Sequence, residues 1–203
     1  MPQFQHYVQQ AYLRRWTRPR DYLFLFDKGT RTLLRRTSSK SILGEFDWQS
    51  QEMESAFAQV ESVIGNTDAT SEITDFRGKK EFTDWLALHL VRNRANLATI
   101  RGTDYQSRVR DTSNMLLQWH GFWQNFTENV LITSDNPVVL IRSTTGDFFI
   151  APLSPRRCVY VVPQDRMPME HNAPGFWPPT LNQIMVNTAR SYCISFDASL
   201  HLP

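Results

Sequence analysis

The chain has 203 residues, of which 41% are hydrophobic, 21% charged and 12% aromatic, and its formal net charge is +2. This balance excludes a disordered or fibrous chain and leaves enough length for one domain with a substantial core. No apolar run approaches the roughly 18 residues of a membrane helix, and the first residues lack a signal-like apolar core, so a cytoplasmic protein with no membrane association is expected.

Residues 4–16, F-Q-H-Y-V-Q-Q-A-Y-L-R-R-W, open the chain. A helix over Gln9 to Trp16 places Gln10 and Arg14 on one face and leaves Tyr12, Leu13 and Trp16 to pack on another. His6 enters just ahead of it. Two β-rich runs, 21–27 and 31–37, flank Lys28-Gly29-Thr30 and predict a hairpin whose second strand carries Arg31, Arg35 and Arg36. Arg31 and Arg35 then share a face, as expected of an edge strand.

Charge is unevenly distributed. Nine basic and two acidic residues lie between Met1 and Lys40, whereas eight acidic and three basic residues lie between Ser41 and Lys80. The basic segment suits phosphate through the planar fork of arginine, or pairs with the acidic segment within the same chain.

Residues 49–64 read as a helix with Met53, Phe57, Val60 and Ile64 at three- and four-residue spacing. Glu54 and Glu61 are seven apart and fall on nearly one face, as weak candidates to hold a metal or an arginine. From Glu81 a strongly apolar helix runs to a stop at Gly102, with His89, Arg92, Asn93 and Asn96 on adjoining faces. A third helix is expected over about Tyr105 to Asn125, carrying Val109, Leu116, Trp119, Phe122 and Trp123.

Residues 130–137, V-L-I-T-S-D-N-P, predict a strand, a polar corner and a second strand beginning V-V-L-I. Strands follow at F-F-I-A-P-L-S-P and R-C-V-Y-V-V-P, which predicts an antiparallel sheet. Residues 164–180, rich in Pro, Met and Trp, read as a long surface loop or lid. Thr180 is placed to cap a helix through about Arg190, and Y-C-I-S-F closes the sheet. Cys158 and Cys193 sit in strand-like apolar contexts and are expected as buried free thiols.

Five pieces in order carry a resemblance: H-Y-V-Q-Q-A-Y-L-R-R-W from His6, H-L-V-R from His89, T-S-D-N-P from Thr133, P-L-S-P from Pro152, and L-N-Q-I-M-V-N-T-A-R from Leu181. Together they resemble a bacterial family of unknown function whose members open with H-Y-V-P-Q-x-Y-L-R and later show T-S-D-N-P and P-L-S-P. Gln9 stands where that family has proline, which leaves the turn after His6 less rigid, and His89 where it tends to have glutamine, which adds a titratable group. The resemblance implies a fold and a set of positions, and it supplies no reaction.

The expected fold is α+β in a single domain over 1–203: an N-terminal helix and β-hairpin, a central block of three helices at about 49–126, and a C-terminal antiparallel sheet at about 130–196 with one late helix, the hairpin joining that sheet. His6, Arg14, His89, Arg92 and Asp135 are the candidate catalytic residues, Gln10, Ser134, Asn136 and Ser154 the candidate substrate-binding residues, and Asn182 completes the polar positions of the shared pieces. Two readings follow. One is a phosphodiester-cleaving hydrolase acting on RNA or nucleotides, with no cofactor or with Mg²⁺. The other is a non-catalytic interaction protein of a phage-conflict or toxin-neutralising kind, with residues 164–180 as contact surface.

Overall fold

The computed structural model describes residues 4–6, 8–19, 22–46, 51, 54, 55, 58, 80–92, 104–142, 144, 146–164 and 177–197. Strand β1 (Phe4–His6) is followed by a short helix α1 (Gln10–Leu13), which tightens into a 3₁₀ turn over Arg14–Trp16. Tyr12, Leu13 and Trp16 are buried, so the apolar face read from the sequence is the face that packs.

The hairpin forms as expected from β2 (Leu23–Asp27) and β3 (Thr32–Thr37). Its loop is closed by Asp27, whose Oδ1 accepts from Gly29 N at 2.8 Å and Thr30 N at 3.0 Å. Arg31 lies in this turn at φ 55° and not on β3, so the shared parity with Arg35 does not apply. After a 3₁₀ turn over Ser39–Ser41, strand β4 (Gly44–Phe46) pairs back with β1.

Helix α2 (Lys80–Val91) is buried over most of its circumference, the pattern of a core helix. Helix α3 (Tyr105–Leu116) crosses it where Thr83 Oγ1 and Ser113 Oγ lie 2.9 Å apart. Gln51, Glu54, Ser55 and Ala58 are helical, in the stretch where a helix is expected. The third helix stops nine residues short of Asn125, and Trp119–Asn125 forms strand β5 instead. Aromatics at 119, 122 and 123 mimic helical spacing. Pairing of the whole segment with residues 157–163 overrides that local pattern.

Beyond it come β6 (Ile132–Ser134), β7 (Val139–Ile141), β8 (Phe148–Ser154), β9 (Arg157–Pro163), helix α4 (Pro178–Thr188) and β10 (Tyr192–Ser195). The late helix starts earlier than expected, with Trp177 as its N-cap and Pro178 in the first turn, where a missing N–H costs nothing. The strands divide between two antiparallel sheets, ordered β3-β2-β10-β6 and β5-β9-β8-β7. The T-S-D-N-P corner is therefore the point at which the chain leaves the first sheet and enters the second.

The five central residues of β8 and of β9 are buried on both faces, so these two strands are the covered inner pair of the second sheet. Pro152 lies in the inner strand β8, where the register with β9 shifts. Cys158 and Cys193 are free and buried as expected, and burial raises both thiol pKa values, that of Cys193 to about 12.

Candidate functional site

Titratable side chains from three separated segments meet at the C-terminal end of α2. Arg92 follows the helix directly, and its main-chain N–H still donates to Leu88 O at 2.8 Å. Its guanidinium is 2% exposed and lies 4.0 Å from Glu54, which is 28% exposed. His6, at the end of β1, is half-buried and close enough to both groups to feel their charge. Burial lowers the His6 pKa and Arg92 adds to the effect, while hydrogen bonding to the main chain of Ser39 and Lys40 and the charge of Glu54 oppose it.

His89 precedes Arg92 by three residues and so lies on the same side of the helix. It is 2% exposed and packs edge-on against Trp85 at 4.6 Å and beside Tyr12 at 5.6 Å between ring centroids. Burial pushes its pKa down to about 3, with Arg92 and Arg15 contributing in the same direction. The ring is neutral at neutral pH. Trp85 is itself fixed by Nε1 donating to Gln9 Oε1 at 3.2 Å.

The group thus contains His6, His89, Arg92 and Glu54 from the expected residues, and adds Arg15. Arg14 does not join it. Arg14 is exposed and, among the described residues, reaches only Gln10, at 3.5 Å, the i,i+4 pair visible in the sequence. The signal for Arg15 is its spacing of three residues from the buried Tyr12.

Asp135 has a different surrounding. Its Oδ1 accepts from Arg190 N at 2.8 Å, and its Oδ2 accepts from Ser191 N at 2.7 Å and Tyr192 N at 3.2 Å. Its own N–H donates to Tyr192 O at 3.0 Å. The carboxylate caps the turn between α4 and β10, and it contacts neither the histidines nor the arginines of the first group.

The other polar motif residues also close local structure. Ser134 Oγ accepts from Asn136 N at 3.1 Å and donates to Asn136 O at 3.0 Å. Ser154 Oγ accepts from Arg156 N at 3.3 Å across the β8–β9 turn. Asn182 works along the outer edge of β6, with Oδ1 accepting from Ile132 N at 3.0 Å and Nδ2 donating to Val130 O at 2.9 Å. That edge is covered by a side chain that imitates a neighbouring strand.

Two basic residues of the first 40 are likewise taken up internally. Arg18 pairs with Asp197 at 2.5 Å and lies over the rings of Phe24 and Phe196, while Lys28 Nζ donates to Ala189 O at 2.8 Å at the C-terminus of α4. Glu61 and residues 165–176 lie outside the described residues. Among the described residues, no group of three or more His, Cys, Asp or Glu side chains is placed to hold a metal ion. The single carboxylate of Glu54, facing a guanidinium, fits an arginine partner better than Mg²⁺, which a positive neighbour repels.

Chemically, the arrangement offers a half-buried imidazole whose pKa is lowered, a buried guanidinium whose charge reaches it, and a carboxylate 4.0 Å from that guanidinium. These are the elements of proton transfer next to a stabilised oxyanion. Comparison of the chain with protein-family models, with curated proteins and with solved structures found no match.

Proposed function

We propose that the protein is a phosphodiester-cleaving hydrolase acting on RNA or nucleotides, and that its reaction takes place at His6 and Arg92. The observation that carries this reading is the meeting of His6, Arg92 and Glu54 from three segments distant in sequence. In it, His6 accepts the proton of the attacking hydroxyl, either a ribose 2′-hydroxyl or water, as that oxygen bonds to phosphorus; the opposite P–O ester bond breaks, and the leaving alkoxide takes up a proton from solvent. Arg92 balances the charge that grows on the non-bridging phosphate oxygens, and Glu54 is a positioning residue that holds Arg92.

Turnover assays with RNA, DNA and cyclic nucleotides, with and without Mg²⁺, test the proposal. His6→Ala is expected to lower turnover by about 10²–10⁴-fold, the range for losing a general acid or base. Absence of turnover on every substrate, or turnover indifferent to His6→Ala, rejects it.

A second reading is a non-catalytic interaction protein of the phage-conflict or toxin-neutralising kind. Trp177, 77% exposed at the start of α4, supports it, because an exposed tryptophan is a frequent anchor of protein interfaces. The internal roles of Ser134, Asp135, Asn136 and Ser154 also agree with it. A pull-down in which Trp177→Ala loses a partner that the native chain retains favours this reading over the first.

A further inference from the structure

The loop from Asn125 to Leu131 is bonded onto the turn that joins β8 to β9. Phe126 N donates to Arg156 O at 2.8 Å, and Val130 N and Leu131 N both donate to Pro155 O at 3.0 Å. Two arginines stand next to each other at that turn, and each is held by an asparagine of the loop. Arg156 Nε donates to Asn129 Oδ1 at 2.9 Å, and Arg157 Nε donates to Asn125 Oδ1 at 2.8 Å. Arg157 also lies over the ring of Trp123, 5.8 Å from its centroid.

An N–H donor must meet an oxygen, so each amide turns Oδ1 to its arginine and keeps its Nδ2 donors for other partners. Among the described residues, the Nδ2 groups of Asn125 and Asn129 and both Nη groups of Arg156 have no acceptor. Arg156 and Asn125 are exposed. Glu128 is the one acidic residue between Trp119 and Leu131, and it pairs with neither arginine. The corner therefore presents positive charge and N–H donors, with both amide oxygens already engaged. Such a surface fits an anion.

A carboxylate offers two oxygens, fewer than these donors can use. A phosphodiester chain repeats its negative charge at every nucleotide and so meets donors spread over two neighbouring Arg–Asn pairs. We propose that the β8–β9 turn binds the phosphate backbone of RNA, with the Arg156 fork and the amides of Asn129 and Asn125 as its donors. This assignment rests on the hydrolase reading and names a surface, outside the group of His6 and Arg92, that holds the substrate strand. Because Asn129 already fixes the Arg156 guanidinium, little side-chain freedom is lost on binding.

The test follows a fluorescein-labelled oligouridylate of about ten nucleotides by fluorescence anisotropy, with the full chain, over a series of salt concentrations. The native chain is expected to bind it, with an affinity that falls as salt rises. Arg156→Ala is expected to weaken binding by about tenfold, the cost of losing hydrogen bonds to a charged group. It is also expected to lower the salt slope by about 0.7, the share of one phosphate contact on a single strand. Asn129→Asp, which sets a carboxylate against the same guanidinium, is expected to act likewise. Arg156→Lys keeps the charge without the fork and is expected to retain the slope but not the full affinity. Arg110→Ala removes an equal charge from an exposed position of α3 and is expected to leave the slope unchanged.

Absence of binding by the native chain, an equal loss in Arg110→Ala, or tighter binding of a polyglutamate peptide than of RNA overturns the surface. The hydrolase reading fails separately: binding that depends on Arg156 without turnover removes the reaction and leaves the surface. Turnover whose KM is the same in Arg156→Ala does the reverse.

Discussion

The hydroxyl of Tyr12 donates a hydrogen bond to the carbonyl of Pro152 at 2.6 Å, joining α1 to the inner strand β8 across 140 residues of sequence. The same oxygen lies 2.5 Å from Thr133 Oγ1 on β6. With its only proton directed to Pro152, it accepts from the threonine. One buried side chain therefore ties α1 to both large sheets. Tyr12→Phe is expected to lower stability by about 1–3 kcal/mol, since it leaves a buried carbonyl and a buried hydroxyl without this partner. Urea unfolding measures the effect, and an unchanged midpoint contradicts it.

Asp135→Asn probes a carboxylate that receives three main-chain N–H donors. The amide presents an NH₂ group where one carboxylate oxygen stood, so at least one of those donors loses its acceptor. Stability is expected to fall by about 1–3 kcal/mol. Turnover per folded molecule is expected to stay at the native level. A variant of native stability with turnover reduced tenfold assigns Asp135 to the chemistry instead.

Acid acts through His89. Its pKa in the folded chain, about 3, lies below its ordinary value of 6.5, so folding favours the neutral ring. The resulting stability is fully present above about pH 6.5 and is lost as pH falls toward 3, by up to about tenfold in the folding equilibrium per pH unit. Burial displaces His6 in the same direction. Urea midpoints measured between about pH 7 and pH 4 are expected to fall steeply for the native chain and less steeply for His89→Phe. Parallel profiles contradict the assignment.

Arg31 holds φ 55° in the hairpin loop, a left-handed conformation that glycine adopts without penalty. Arg31→Gly is expected to raise stability by up to about 1 kcal/mol, the relief of strain being partly offset by the added freedom of the unfolded chain. A thermal melt reads the change. A lower melting temperature shows that the arginine side chain contributes more than its backbone costs.

The sequence made several elements readable because their signals are local. Lys28-Gly29-Thr30 between β-rich runs marks the hairpin, and the apolar runs separated by turn residues over 132–163 mark most of the strands. Trp119–Asn125 was misread because its aromatics keep helical spacing while its partner strand begins only at Arg157. Arg92 and His89 stood out as polar residues on an apolar helix. Arg15 did not, because Arg14 forms the more visible pair with Gln10. The role of Asp135 was hidden for another reason. Its partners are main-chain N–H groups at 190–192, and residue types carry no mark of which amides a fold leaves without an acceptor.

Strand β10 lies between β2 and β6 in the first sheet, hydrogen-bonded to both. During synthesis, the hairpin of residues 23–37 emerges more than 150 residues before Tyr192, so this sheet has no centre until residues 192–195 leave the ribosome. Until then β2 and β6 each present an open edge, and closing such distant pairings is slow. Chains that end before Tyr192 are therefore expected to leave both edges unpaired, and the Asp135 carboxylate, bonded to the N–H groups of 190–192, holds the start of β10 in place once it arrives.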